Sequence, residues 1–272
     1  MLRFLCVFLL PVVSGFPQAQ TIDWDTLLHD LVSQDPAKSK AAGEQFFNDI
    51  APRLCHEESS LAANELAGSL EYFADKDSKV RLQVSALLSV IPMCRGTDSA
   101  TVLASAVPKI IEHIHDPAKR IRENSVRTLA FLQPDIPPEA VSVLIKNSDN
   151  PERDLASLAA YGLVLVAGKN AEARNALLDL LSLSSPKEKQ LLAIGAIGAA
   201  HSQDAALVQA LREFLLSPQP DLASASVHSI ANCGPPCIWI THEQLETFAA
   251  GPHPEDLKRL AQSLADQYKA AQ

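Results

Sequence analysis

The segment HDPAKRIRENSVRTLAFLQ, residues 115–133, decides the fold. Asp116 offers a side-chain acceptor for the free N–H groups at a helix start. Pro117 suits the first helical position, where a missing N–H costs nothing. Ile121, Ser125, Leu129 and Leu132 then recur at helical spacing, while Lys119, Arg120, Arg122, Glu123 and Arg127 lie mostly off that line. The spacing predicts a short amphipathic helix with a marked start.

The same punctuation recurs along the chain. Asp35–Pro36, Asn150–Pro151, Ser185–Pro186 and Ser217–Pro218 repeat it, and Asp75–Lys76 is a cap without its proline. Successive pairs stand 32 to 41 residues apart, a period that marks a solenoid. Apolar residues follow each pair at helical spacing, as in Val80, Val84 and Ile91 or Leu155, Ala159 and Val166. Partner helices lie between, at 24–32, 61–73, 102–114, 140–145, 173–181 and 205–215. Each unit is thus expected to be a hairpin, helix A then helix B, whose apolar faces are covered only when neighbours stack. No stretch alternates apolar and polar residues in the manner of a strand.

The expected architecture is all-α: a right-handed superhelix of about six hairpins over residues 21–235, closed by a helical cap over 236–272. In NCGPPCIWITHE, residues 232–243, we expect a turn and a packed connector at Ile238–Ile240, before helices at 242–250 and 254–271. Trp24 and Trp239 are expected to plug the two ends.

Composition agrees with helix-on-helix packing. The 272 residues are 47% hydrophobic and only 5% aromatic, so Leu, Ala, Val and Ile supply the core. A net charge of −9 argues against a general binder of nucleic acid or of anionic membranes. Residues 1–20, MLRFLCVFLLPVVSGFPQAQ, have the layout of a secretory signal peptide: Arg3, an apolar run from Phe4 to Val13, then small and polar residues. Cleavage is expected after Gly15 or Ala19. The alternatives are an uncleaved anchor and a buried first helix. The run is too short for the roughly 20 residues that span a bilayer, so the mature chain is expected to be extracytoplasmic, periplasmic or secreted, and not inserted in a membrane.

An exported chain would keep four cysteines. Cys55 and Cys94 occupy nearly equivalent positions at the ends of successive B helices and are expected to form a disulfide, with two independent thiols as the alternative. Cys233 and Cys237 have three residues between them within an all-α setting, whereas thioredoxin-like motifs have two residues between cysteines at a helix start in a βαβ unit. A structural disulfide is expected there too.

These features resemble the HEAT and HEAT-like (PBS-lyase-type) helical repeat family. The residues that carry the resemblance are Asp116–Pro117 with Ile121–Arg122, Val80–Arg81 one unit earlier, and the small-residue runs at 161–168 and 194–200. The Val–Arg element is replaced by Leu155–Ala156 and Leu222–Ala223, so the later repeats should lack the family's arginine ladder. The resemblance implies a protein-binding scaffold whose B helices line a concave face. Lys119, Arg120, Arg122 and Arg127 are the candidate patch for an acidic partner there, or else a structural ladder with solvated neighbours.

No residues point to catalysis. A related HEAT-like enzyme, deoxyhypusine hydroxylase, holds iron with His–Glu pairs on equivalent helices, but here His56–Glu57 and His242–Glu243 stand far apart. His113 and His115 lack a third ligand, and there is neither a phosphate loop nor a nucleophile elbow. No cofactor and no metal are expected. The expected function is non-catalytic binding of an unknown protein partner, with a small or polymeric ligand in the groove as the alternative.

Overall fold

The computed structural model describes residues 22–56, 58–95, 98–132, 136–202 and 204–270. The proposed signal segment and Glu57 therefore lie outside the described residues. Among those described there are helices and turns and no strand.

The chain runs as A–B hairpins. The first pairs α1 (Trp24–Leu31) with a B segment made of α2 (Pro36–Gln45), a π-helical turn (Phe46–Ile50) and α3 (Ala51–His56). The second pairs α4 (Ser59–Ser69), extended by a 3-10 turn to Ala74, with α5 (Ser78–Arg95). The third has α6 (Ser99–Leu103) and α7 (Val107–His113) before α8 (Lys119–Ala130). Then come α9 (Pro138–Ser148) with α10 (Arg153–Ala167), α11 (Ala171–Leu181) with α12 (Lys187–Ala199), and α13 (Ala205–Leu215) with α14 (Pro220–Cys233). The chain continues with α15 (Pro235–Ala250) and α16 (Glu255–Ala270).

B helices pack in sequence, α5 on α8, α8 on α10, α10 on α12 and α12 on α14, while α9, α11, α13 and α15 form the A row. The result is an all-α solenoid with a core running along its length. Val80, Leu129, Leu163, Ile194 and Ile230 supply that core from the B side.

Two glycines set the spacing of B helices. A Cβ on Gly162 would lie 2.6 Å from Ala130 Cα, and one on Gly198 would lie 2.7 Å from Ser229 Cα. Ser229 fills the remaining gap by donating its hydroxyl to the Ile194 carbonyl at 2.7 Å.

Four details differ from the sequence expectation. Pro117 and Pro151 precede their helices instead of opening them, because Asp116 and Asn150 each accept from the N–H two residues on, at 2.8 and 2.9 Å, and form a tight side-chain turn first. The expected helix 102–114 is broken between α6 and α7, where Pro108 cannot donate to the preceding turn and its ring crowds the carbonyl four residues back. Residues 235–241 are helical, not a connector: Pro235 sits in the first turn of α15, where proline is well suited, after Gly234 at φ 85°. Trp24 is buried, but Trp239 is 53% exposed on α15 and plugs nothing.

Candidate functional site

Each B helix buries one stripe in the core and turns another outward. Counted from its first residue, the sixth, ninth and thirteenth places of α10 are Leu158, Tyr161 and Leu165, all half-buried. The same places in α12 are Leu192, Gly195 and Ala199. In α8 they are Asn124 and Arg127, with Phe131 directly after its last residue, and in α14 they are Ala225, His228 and Asn232. The outward face is therefore apolar at repeats four and five, keeps an apolar thirteenth place at repeat three with Phe131, and is polar at His228 and Asn232 of repeat six.

A slot of about 750 Å³ lies between α10 and α12. Its walls are Phe131, Leu158, Tyr161, Leu191 and Leu192, and its floor is made of small residues, Ala156, Gly195 and Ala196. The Phe131 and Tyr161 rings touch, with centroids 5.2 Å apart. A Cβ on Gly195 would meet nothing within 4 Å, so the floor opens onto unfilled space. At the end nearest the helix starts the lip carries Arg153 and Glu188, both exposed, and the Lys189–Asp149 ion pair at 2.7 Å.

The four cations singled out in the sequence do not form one open patch. Arg122 forks onto both Glu152 oxygens at 2.8 Å and also donates to the Asp116 and Pro117 carbonyls. Lys119 bonds Asp154 at 2.7 Å, and that bond and charge raise its ammonium above the ordinary lysine value. Arg120 pairs with Glu123 at 3.1 Å while staying 77% exposed. Arg127 lies on the outward face beside Phe131, half-buried. Two of the four thus tie repeats three and four together, because Glu152 and Asp154 stand one unit on.

That arrangement has a counterpart one repeat earlier. Arg81 donates to Asp116 at 2.9 Å and to the Asp75 carbonyl at 2.7 Å. Where α10 has Leu155–Ala156 the arginine is missing, and further on repeats five and six are joined by other links, Lys187 to Asp221 and Arg174 to Asp204.

Cys55 and Cys94 lie at disulfide distance, with Cα atoms 5.5 Å apart, as do Cys233 and Cys237 at 5.9 Å. Both Sγ atoms of the second pair are buried against the Ser202 carbonyl. His113 is spent on structure: its ring nitrogens lie 2.9 and 2.7 Å from the Lys109 and Phe73 carbonyls. Among the described residues, no three His, Cys, Asp or Glu side chains cluster as metal ligands, and no helix is long and apolar enough to cross a membrane.

Sequence reasoning missed the slot. Leu158, Leu191 and Leu192 carry the same apolar signal as core positions, and the two aromatics of repeats three to five, Phe131 and Tyr161, are the signal that could have marked it.

No protein-family model matches the chain, and no curated protein matches it. Among solved structures it is similar to the complex of CpcE and CpcF of phycocyanin lyase from Nostoc sp. PCC7120, at 18% identity over 96% of this chain and 99% of that one, with TM-score 0.40. It is also similar to a designed armadillo repeat protein in complex with the peptide (KR)4, at 15% identity over 91% and 100%, with TM-score 0.44. An engineered protein is similar at 19% identity over 90% and 70%, with TM-score 0.46. The likeness is one of architecture.

Proposed function

We propose that the chain is an exported, non-catalytic scaffold that holds a protein partner against its outward B-helix face. The observation that carries this reading is the second apolar stripe on α10 and α12, where Leu158 and Leu192 pack against the core and still leave apolar surface lining the slot. Leu158, Tyr161 and Leu192 are only partly buried, and covering their remaining apolar surface with a partner would be favourable by roughly 25 cal/mol per Å². The layout of residues 1–20 and the two cysteine pairs at disulfide distance support export.

The test is site-specific crosslinking. The chain from Thr21 onward carries a photoreactive phenylalanine at position 192 and is irradiated in envelope or secreted extract. The expected result is one dominant adduct, absent when Leu158→Asp accompanies the probe and absent when the probe sits instead at Glu172, on the A row. Equal labelling from both positions would count against the scaffold reading.

The slot favours a second reading, a small ligand, because its volume falls within the roughly 300–1,000 Å³ of small-molecule sites. Thermal stabilisation by amphiphilic compounds, lost in Gly195→Phe, separates the two.

A further inference from the structure

The slot is the deepest part of a longer row. Phe131 and Leu165 hold the thirteenth place in their B units, and Val90 holds it on α5, 50% exposed, with Met93 beyond it at 69%. A compact small molecule would use the slot alone, whereas this row continues across successive B helices. Packed helices stand about 8–10 Å apart, which an extended chain covers in about three residues. The row therefore matches a peptide with apolar side chains about three residues apart.

Charge gives the peptide its sign. Arg153 stands exposed at the lip on the α10 side and Arg127 lies on the outward face of α8, while Arg120 is paired with Glu123, in a chain whose net charge is −9. The acids on that side are engaged, Glu123 with Arg120 and Lys119, and Asp154 with Lys119. On the α12 side Lys189 is held by Asp149, and Glu188 is exposed. An acidic group is thus favoured towards α8 and α10 and disfavoured towards α12.

We propose that the slot takes an acidic peptide segment of the partner, with a leucine or aromatic side chain between Tyr161 and Leu192 and a carboxylate against Arg153. This rests on the scaffold reading and names the partner's chemistry. The orientation follows: the acidic residue precedes or follows the anchor on the repeat-three side, and a basic residue is tolerated near Glu188.

The test is selection of a displayed random peptide library on the biotinylated chain from Thr21, with both cysteine pairs oxidised. Gly195→Phe serves as the slot-filled control. Position 195 is exposed with open space above it, so the variant should fold, and its thermal melt checks this. If it does not fold, Ala199→Trp, which fills the same slot, replaces it. The expected outcome is enrichment of Leu, Phe or Trp flanked by Asp or Glu on the wild-type chain and not on the filled one. A synthetic copy of the enriched peptide should bind at least tenfold more weakly to Arg153→Glu, and reversing its acidic residue to Lys should restore much of that loss. Enrichment of basic or uncharged peptides overturns the assignment while leaving the scaffold reading in place, provided they too are lost on the filled slot. Equal recovery on both forms removes the slot from the site. Recovery of no sequence above background, with a single adduct still seen by crosslinking at position 192, overturns the peptide and keeps the scaffold; failure of both experiments overturns both.

Discussion

Arg81 in repeat two and Asp116 in repeat three are joined by a hydrogen bond of 2.9 Å from Nε to Oδ2, with a second from Nη2 to Oδ1 at 3.3 Å. The pair is largely buried, with side chains 14% and 4% exposed. Asp116 simultaneously receives the Ala118 N–H, so one carboxylate both shapes the turn into α8 and anchors the previous B helix. Burial pushes the Asp116 carboxyl up, but the Arg81 bond, the Ala118 N–H and the Arg81 charge outweigh it and hold it below the ordinary carboxylate value.

Removing Arg81 leaves a buried, unpaired carboxylate. Arg81→Ala should therefore destabilise the chain by about 3 kcal/mol, read as a lower urea midpoint. The depressed Asp116 value also fixes a sign. Its contribution is present above the unfolded carboxylate value of about 4 and is lost as pH falls through the lower folded value. Wild type should lose stability on acidification below about pH 4 more steeply than Asp116→Asn, which starts less stable at neutral pH. Parallel urea titrations at several pH values measure this, and identical slopes would sink the idea.

The glycines of the B helices should separate cleanly. Gly195→Ala adds helix propensity into open space and should stabilise by about 1 kcal/mol. Gly162→Ala and Gly198→Ala gain the same propensity but drive Cβ against the Ala130 and Ser229 backbones, and overpacking of this kind costs about 1–3 kcal/mol. The melting temperature should rise in the first variant and fall in the other two.

The hairpin order was legible because it rests on local chemistry. Caps and prolines repeat at fixed spacing, and apolar residues recur every third or fourth place. The breaks were harder to read. The π-helical turn at Phe46–Ile50 answers Pro52 just beyond it, which cannot donate to the preceding turn, and nothing in the apolar spacing announces the extra residue. Trp239 reads as core by type, yet its place on α15 turns it outward. The slot was hidden for a related reason: Leu158 and Leu192 carry the same apolar signal as Leu155 and Ile194, and only stacking decides which of two stripes is covered. For the repeat-three cations the sequence left a patch and a structural ladder open, because Glu152 and Asp154, which engage Arg122 and Lys119, stand one repeat later.

The two cysteine pairs should contribute unequally. Cys55 and Cys94 are 39 residues apart, and closing such a loop stabilises by about 4 kcal/mol in the chain-entropy model. Cys233 and Cys237 are 4 residues apart, for which the same model gives about 2 kcal/mol. Cys94→Ser should therefore lower the urea midpoint more than Cys237→Ser. A reductant should reproduce the sum in wild type and have no effect on the double variant. A larger loss from Cys237→Ser would mean that the turn between α14 and α15 matters more than chain entropy allows.

The two tryptophans offer a direct check on the ends of the stack. Trp24 is 6% exposed, donates its indole N–H to the Glu65 carbonyl at 2.9 Å, and lies so close to Gly68 that a Cβ there would meet the ring at 2.7 Å. Trp239 is 53% exposed. Native fluorescence should contain a blue, acrylamide-resistant part from Trp24 and a red, quenchable part from Trp239. Trp239→Phe should remove the quenchable part with little change in stability, because a half-exposed ring has little burial to lose. Trp24→Ala removes a buried ring and should cost about 3–5 kcal/mol, and Gly68→Ala should shift the Trp24 emission by forcing the ring to move. Retention of the quenchable component in Trp239→Phe would mean that α1 opens from α4 in solution, and the burial of Trp24 at the first repeat would have to be abandoned.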